Sequence, residues 1–144
     1  MNKDDWKRIE DELRNPYGCG ADLRADGHLL QLRVVREKGL KFTIGVYVDG
    51  VIRGAYSNAD SEIGAKFYRR VEIRVFSHAK VRQMAKDHGK RFAAKMVKQF
   101  PGGNCYMPSL PTHARLRRHL AKTCAKVELV SVGYMPKAEP EGAA

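Results

Sequence analysis

The run Phe42-Thr43-Ile44-Gly45-Val46-Tyr47-Val48-Asp49-Gly50 decides the fold. Phe42, Ile44, Val46 and Val48 alternate with Thr43, Gly45 and Tyr47, the period of two of a strand with one buried face. Asp49-Gly50 is a strong two-residue hairpin signal, and Val51-Ile52 follows it as the returning strand. An antiparallel sheet is expected around this run.

Working upstream, Leu30, Leu32 and Val34 alternate with Gln31 and Arg33, and Glu37-Lys38-Gly39 makes a short connection to Phe42. Asp26-Gly27 is a turn signal at the end of a polar loop. Before that loop, Asp4 or Asp5 can cap a short helix whose Trp6, Ile9 and Leu13 share one face. Asn15-Pro16-Tyr17-Gly18 ends the helix, because a residue before proline is pushed out of the helical region.

Downstream, a polar loop from Ser57 to Ala65 precedes a strand in which Val71, Ile73 and Val75 alternate with Arg70, Glu72 and Arg74. The period then changes. From Ser77 to Phe100 the spacing predicts one long helix with Val81, Met84, Ala85, His88, Phe92 and Met96 in a stripe facing the sheet. Gly89 either weakens that helix by about 1 kcal/mol relative to alanine or marks close packing. Pro101-Gly102-Gly103-Asn104 stops it. A second helix runs from near Pro111 to about Cys124, with His113, Leu116, Leu120 and Cys124 inward, and Val127 to Val132 reads as a final strand. The order α-β-β-(β)-β-α-α-β predicts an α+β fold, with an antiparallel sheet of four to five strands and helices packed on one face. Residues 1–135 form one expected domain and 136–144 an expected disordered tail.

Charge is distributed unevenly over this frame. From Ile73 to Val127 thirteen Lys and Arg stand against one acid, Asp87, while the remaining chain has fourteen bases and fifteen acids. The whole formal excess of +11 therefore belongs to one segment. Four of the five histidines, His78, His88, His113 and His119, lie there too. A cationic face of this kind concentrates anionic partners. The candidate binding residues are Lys80, Arg82, Lys86, Lys90, Arg91, Lys95 and Lys98 on the first helix and Arg115, Arg117, Arg118 and Lys122 on the second. A merely solvated helix face normally interleaves acids as i,i+4 partners, and here only Asp87 is present. Tyr106 is the best placed aromatic; Phe92 and Phe100 read as core. Backbone or shape recognition is therefore favoured over base stacking.

Other chemistries find less support. Asp49 with Glu72-Ile73-Arg74 looks like the D…(D/E)-x-K pattern of metal-dependent nucleases. Arginine replaces the lysine and cannot act as a base, and hairpin geometry accounts for Asp49. Cys105, His113, His119 and Cys124 are the one candidate metal cluster, but their spacing lacks the close pair of structural zinc sites. No phosphate-binding glycine loop or nucleophile elbow is present, so no enzymatic activity, metal or cofactor is expected. No apolar run approaches the roughly 20 residues of a membrane helix. No secretory pattern opens the chain, and three unevenly spaced cysteines suit free thiols, so a cytoplasmic setting is expected.

Two resemblances add to this reading. An α-β-β-β-α order with a lysine-rich last helix, together with Ser77-His78-Ala79-Lys80 and Ala85-Lys86, resembles the double-stranded RNA-binding domain. The chain departs from it in a short first helix, in the absence of a glycine-rich segment before Ser77, and in an extra helix and strand. Trp6-x-x-Ile9, Tyr17-Gly18, Leu23 to Gly27, Val46 to Gly50, Arg69-Arg70-Val71 and Leu116 to Leu120 leading to Val130 together resemble small uncharacterised accessory proteins of phages and prophages. That resemblance implies a host-cell setting. It also implies a binding role on nucleic acid or on a host defence complex, CRISPR effectors included. The expected function is a non-enzymatic binding protein. Its basic helices would engage DNA or RNA, or the nucleic-acid-binding channel of a host complex. The alternative is an anti-CRISPR-like inhibitor that binds an acidic protein surface.

Overall fold

The computed structural model of the 144-residue chain describes residues 1–133. The expected tail, 136–144, lies outside them. The first helix, α1 (Lys3–Leu13), is capped by Asn2 and not by Asp4 or Asp5. The Asn2 side chain accepts the Asp5 N–H at 2.8 Å, and the Asp5 carboxylate accepts the Asn2 N–H at 3.3 Å. This reciprocal box satisfies two donors at once, which a lone aspartate cannot do. Trp6, Ile9 and Leu13 are buried as their spacing predicts.

Strand β1 (Ala21–Ala25) occupies part of what reads as a polar loop. Its inward residues are Ala21, Leu23 and Ala25, and two alanines give a weak alternation signal. Asp26-Gly27, with φ of 46° and 84°, turns it into β2 (His28–Arg36). Strand β3 (Phe42–Val48) pairs antiparallel with β2 through Leu30↔Val48, Leu32↔Val46 and Val34↔Ile44.

After Asp49-Gly50 only Val51 pairs back, in a single bridge to Val48. No strand forms at Val51-Ile52. A 3-10 turn (Gly54–Ser57) leads into the loop expected over Ser57 to Ala65, and α2 (Glu62–Phe67), capped by Ser61, takes up its second half and runs beyond it.

Strand β4 (Arg69–Ile73) leaves the main sheet and pairs with β5 (Gly103–Met107) in a separate two-stranded ladder. Between them the expected single helix is two, α3 (His78–His88) and α4 (Lys90–Gln99). Gly89 separates them with φ 92° and ψ 157°, a conformation essentially confined to glycine that ends one helix and starts another. No side chain crowds Gly89, so its role is the bend and not close packing. The break moves the apolar stripe. Met84 and Ala93 are the buried residues of α3 and α4, and Phe92 is 40% exposed instead of facing the sheet. The two helices pack chiefly on each other, forming an arm on the β4–β5 ladder. Phe76 and Phe100 meet edge to face at its base, 6.2 Å apart.

The chain returns through β6 (Ser109–Leu110), α5 (His113–Thr123) and β7 (Val127–Val132). The main sheet has the order β6-β3-β2-β1-β7, antiparallel throughout. Ile9 of α1, Phe67 of α2, and Leu116 and Leu120 of α5 pack with Leu23, Leu30, Leu32 and Val46 in one fully buried core. The other face of the sheet is mixed: Arg33 pairs with Asp22 at 2.9 Å, and Val35 and Tyr47 flank Gly45. The fold is α+β.

Candidate nucleic-acid interface

Helix α5 is the better anchored of the two basic surfaces. Thr112 caps it by accepting the Arg115 N–H at 3.3 Å. Leu116 and Leu120 fix its inner face, which turns Arg115, Arg118 and Lys122 outward. Arg115, Arg118, His119 and Lys122 line one shallow depression. Arg117 points elsewhere. Its guanidinium lies 5.5 Å from the centre of the Trp6 ring, a cation–π contact that ties α5 to α1. No pattern local to α5 announces that contact, because Trp6 is over a hundred residues away in the chain.

The far end of α5 is held by its neighbours. The Thr123 hydroxyl lies 2.6 Å from the Lys66 carbonyl oxygen. Asp26 accepts the Ala125 and Lys126 N–H groups at 3.1 and 2.9 Å. Hydrogen bonds from Lys66 and from those two amides hold the Asp26 carboxyl down at about 2.

Two histidines on α5 do not add to its charge near neutral pH. Burial pushes His113 below the ordinary imidazole range against the pull of Glu10, and Arg117 and Arg14 add to the shift. Burial likewise lowers His119, and Lys122 adds to it. The positive charge of this face is therefore carried by arginine and lysine alone.

The remaining candidates sit on the arm. Lys80, Arg82 and Lys86 belong to α3, and Lys90, Arg91, Lys95 and Lys98 to α4. On helical geometry Arg82 and Lys86 stand opposite Met84, while Arg91, Lys95 and Lys98 stand opposite Ala93. Since Met84 and Ala93 are the buried residues of the pair, these five bases point outward from it, while Lys80 and Lys90, four and three residues from Met84 and Ala93, are exposed nearer the inner faces. The result is a charged arm of two helices packed on each other.

All eleven candidate bases are exposed. None makes an ion pair with an acid of the described residues. The single acid of the segment, Asp87, accepts hydrogen bonds from Gln83 at 2.9 and 3.0 Å.

The nuclease-like residues are separated by the topology. Asp49 ends a strand of the main sheet, and Glu72 lies on the β4–β5 ladder. One Asp49 oxygen accepts the Leu29 N–H at 3.0 Å and the other lies 2.9 Å from His28 Nδ1. Glu72 is exposed and 3.6 Å from Arg74. Among the described residues no three His, Cys, Asp or Glu side chains gather where they could hold a metal ion. Cys105, His113, His119 and Cys124 accordingly do not form one cluster. All three cysteines are free, and burial pushes the Cys124 thiol up.

The double-stranded RNA-binding resemblance fails at its lysines. The helix that follows three strands is the six-residue α2, whose Lys66 is engaged by Asp26 at 2.7 Å. Lys80 and Lys86 belong instead to the arm. Among the described residues no helix is long and apolar enough to cross a membrane. No protein-family model, curated protein or solved structure matches the chain.

Val75, Val97 and Phe100 are 41–56% exposed and border a groove of about 280 Å³ at the arm's base. The available signal was numerical: Phe92, Met96, Val97 and Phe100 are more apolar positions than one narrow stripe on a short helix can bury.

Proposed function

We propose that this chain is a non-enzymatic binding protein that grips the phosphate backbone of DNA or RNA, or enters the nucleic-acid-binding channel of a host complex. One observation carries the proposal: eleven exposed Lys and Arg on three helices, none paired with a described acid. Unpaired cations on rigid helices are available to replace the counterions of a polyphosphate, and their release drives binding. Arg115, Arg118 and Lys122 share one depression and form the centre of the contact. The arm extends the same charge along a second stretch of backbone. The phage-type setting of this role rests on the sequence resemblance alone.

Fluorescence anisotropy with short DNA and RNA duplexes, titrated with salt, tests the reading. Binding that weakens steeply with salt supports it. Failure to bind either duplex at low salt removes it.

A second reading is an anti-CRISPR-like host-defence inhibitor that contacts an acidic protein surface through the same helices. The apolar groove at the base of the arm favours it, since phosphate backbone offers nothing to fill such a groove. A pull-down from host lysate, with and without nuclease treatment, separates the two.

A further inference from the structure

The arm joins the ladder through a groove whose apolar walls are Val75 and Phe76 before α3, Val81 on α3, Val97 on α4, and Phe100 and Pro101 after it. Val75 and Phe100 are 56% and 44% exposed, and Val97 is 41% exposed. Other large apolar side chains are exposed on this protein, but these six line one concave surface and so form a cluster in water. Exposed clusters of this type mark interaction sites.

Charge narrows the occupant. Arg74, Arg82 and Lys98 are the chain neighbours of Val75, Val81 and Val97. The helices that carry the groove hold seven bases against the single acid Asp87. Within the groove Glu72 is offset by Arg74 at 3.6 Å. A second copy of this chain would bring two such arms together, and juxtaposed like charges disfavour association. The groove is concave, so a flat lipid surface would leave it unfilled. The shape suits a few apolar side chains presented at intervals, and the charge calls for acids between them.

We propose that this groove docks an acidic protein segment that inserts apolar anchors between α3 and α4 while its carboxylates face the bases of the arm. This rests on the acidic-partner reading above and gives it a location. The groove residues supply the specificity, and the surrounding bases supply capture and orientation. An amphipathic helix with anchors at i and i+4 has the matching chemistry.

The probe is a synthetic fluorescent peptide with two leucines, four positions apart, among glutamates and alanines. Its control carries serines in place of the leucines. The leucine peptide is expected to bind the unmodified chain at least about tenfold more tightly than the serine control. The V75S/V97S variant changes two exposed residues. It is expected to erase that difference while leaving affinity for a DNA duplex unchanged. Equal binding of the two peptides to the unmodified chain overturns the groove proposal and leaves acidic-partner binding as charge alone. Binding of neither peptide overturns the acidic-partner reading itself. Loss of duplex binding in V75S/V97S assigns the groove to nucleic acid instead. Capture of phosphatidylserine vesicles that is lost in the variant assigns it to lipid. The peptide pair on the unmodified chain decides the matter even if the variant misfolds.

Discussion

The Asp26 carboxylate lies 2.7 Å from the Lys66 ammonium. This contact joins the β1–β2 turn to α2. The same carboxylate receives the Ala125 and Lys126 amides just beyond α5. One side chain thereby sets where the anchored basic helix ends relative to the sheet.

That arrangement carries a pH signature. The folded carboxyl sits at about 2, below its ordinary value of 3.8. Its contribution to stability is present above the ordinary value and is lost as pH falls through about 2. Thermal melts of the wild type and Asp26→Asn are expected to differ near neutral pH and to converge in strong acid. A gap that stays constant from neutral pH to about pH 2 would show that the carboxylate's charge is not what holds the turn.

Leu120 and Phe92 separate the core from the arm. Leu120 is fully buried, and Leu120→Ala is expected to cost about 2–5 kcal/mol. Phe92 is 40% exposed and rests against His88 at 4.9 Å, so Phe92→Ala is expected to cost clearly less than the about 3–5 kcal/mol of a fully buried phenylalanine. Urea melts of both variants measure this. Equal large losses would place Phe92 in the core and α4 against the sheet.

Gly89 gives a third expectation. An alanine there must adopt a backbone conformation that costs on the order of 1–3 kcal/mol. Gly89→Ala is expected to loosen the arm while leaving the main core intact, read by hydrogen exchange. Faster exchange should appear in α3 and α4 and not in β2 or β3. Unchanged protection of the arm would mean that the bend does not depend on glycine.

The two halves of the chain were unequally legible, and the reason is physical. Residues that pack against the main core advertise it by period. Trp6, Ile9 and Leu13, Ile44, Val46 and Val48 of β3, and Leu116 with Leu120 are buried as their spacing predicts, whereas Phe42 at the start of β3 is exposed and Thr43 is buried. Strand β1 escaped because alanine fills two of its inward positions, and β5 and β6 because Pro101 to Leu110 carries little alternation. The arm departs furthest from what its sequence predicts. Its apolar positions run through Gly89 at helical spacing, and only the backbone at that residue shows that one helix is two. The basic residues were legible as a set. Their division between α5 and an arm with bases on its outer faces depends on that same bend, and the groove depends on it too.

No cleavage of DNA or RNA is expected with Mg²⁺ or Mn²⁺. Both Asp49 oxygens are engaged, by Leu29 and His28, and Glu72 belongs to a different sheet. Agarose assays with purified protein check this. Metal-dependent cutting that disappears in both Asp49→Asn and Glu72→Gln would replace the binding role with a catalytic one.

The most direct measurement is the salt dependence of duplex binding by the unmodified chain and by a variant in which Arg115, Arg118 and Lys122 are glutamate. These three side chains face solvent in one depression, so their reversal leaves the core untouched. With about five phosphates contacted, log K is expected to fall against log salt with a slope of about −4 to −5, since each contact contributes about −0.9. The triple variant is expected to lose binding while melting as the wild type does. A well-folded triple variant that binds the duplex with unchanged affinity and slope would contradict the assignment of α5 as the centre of the interface.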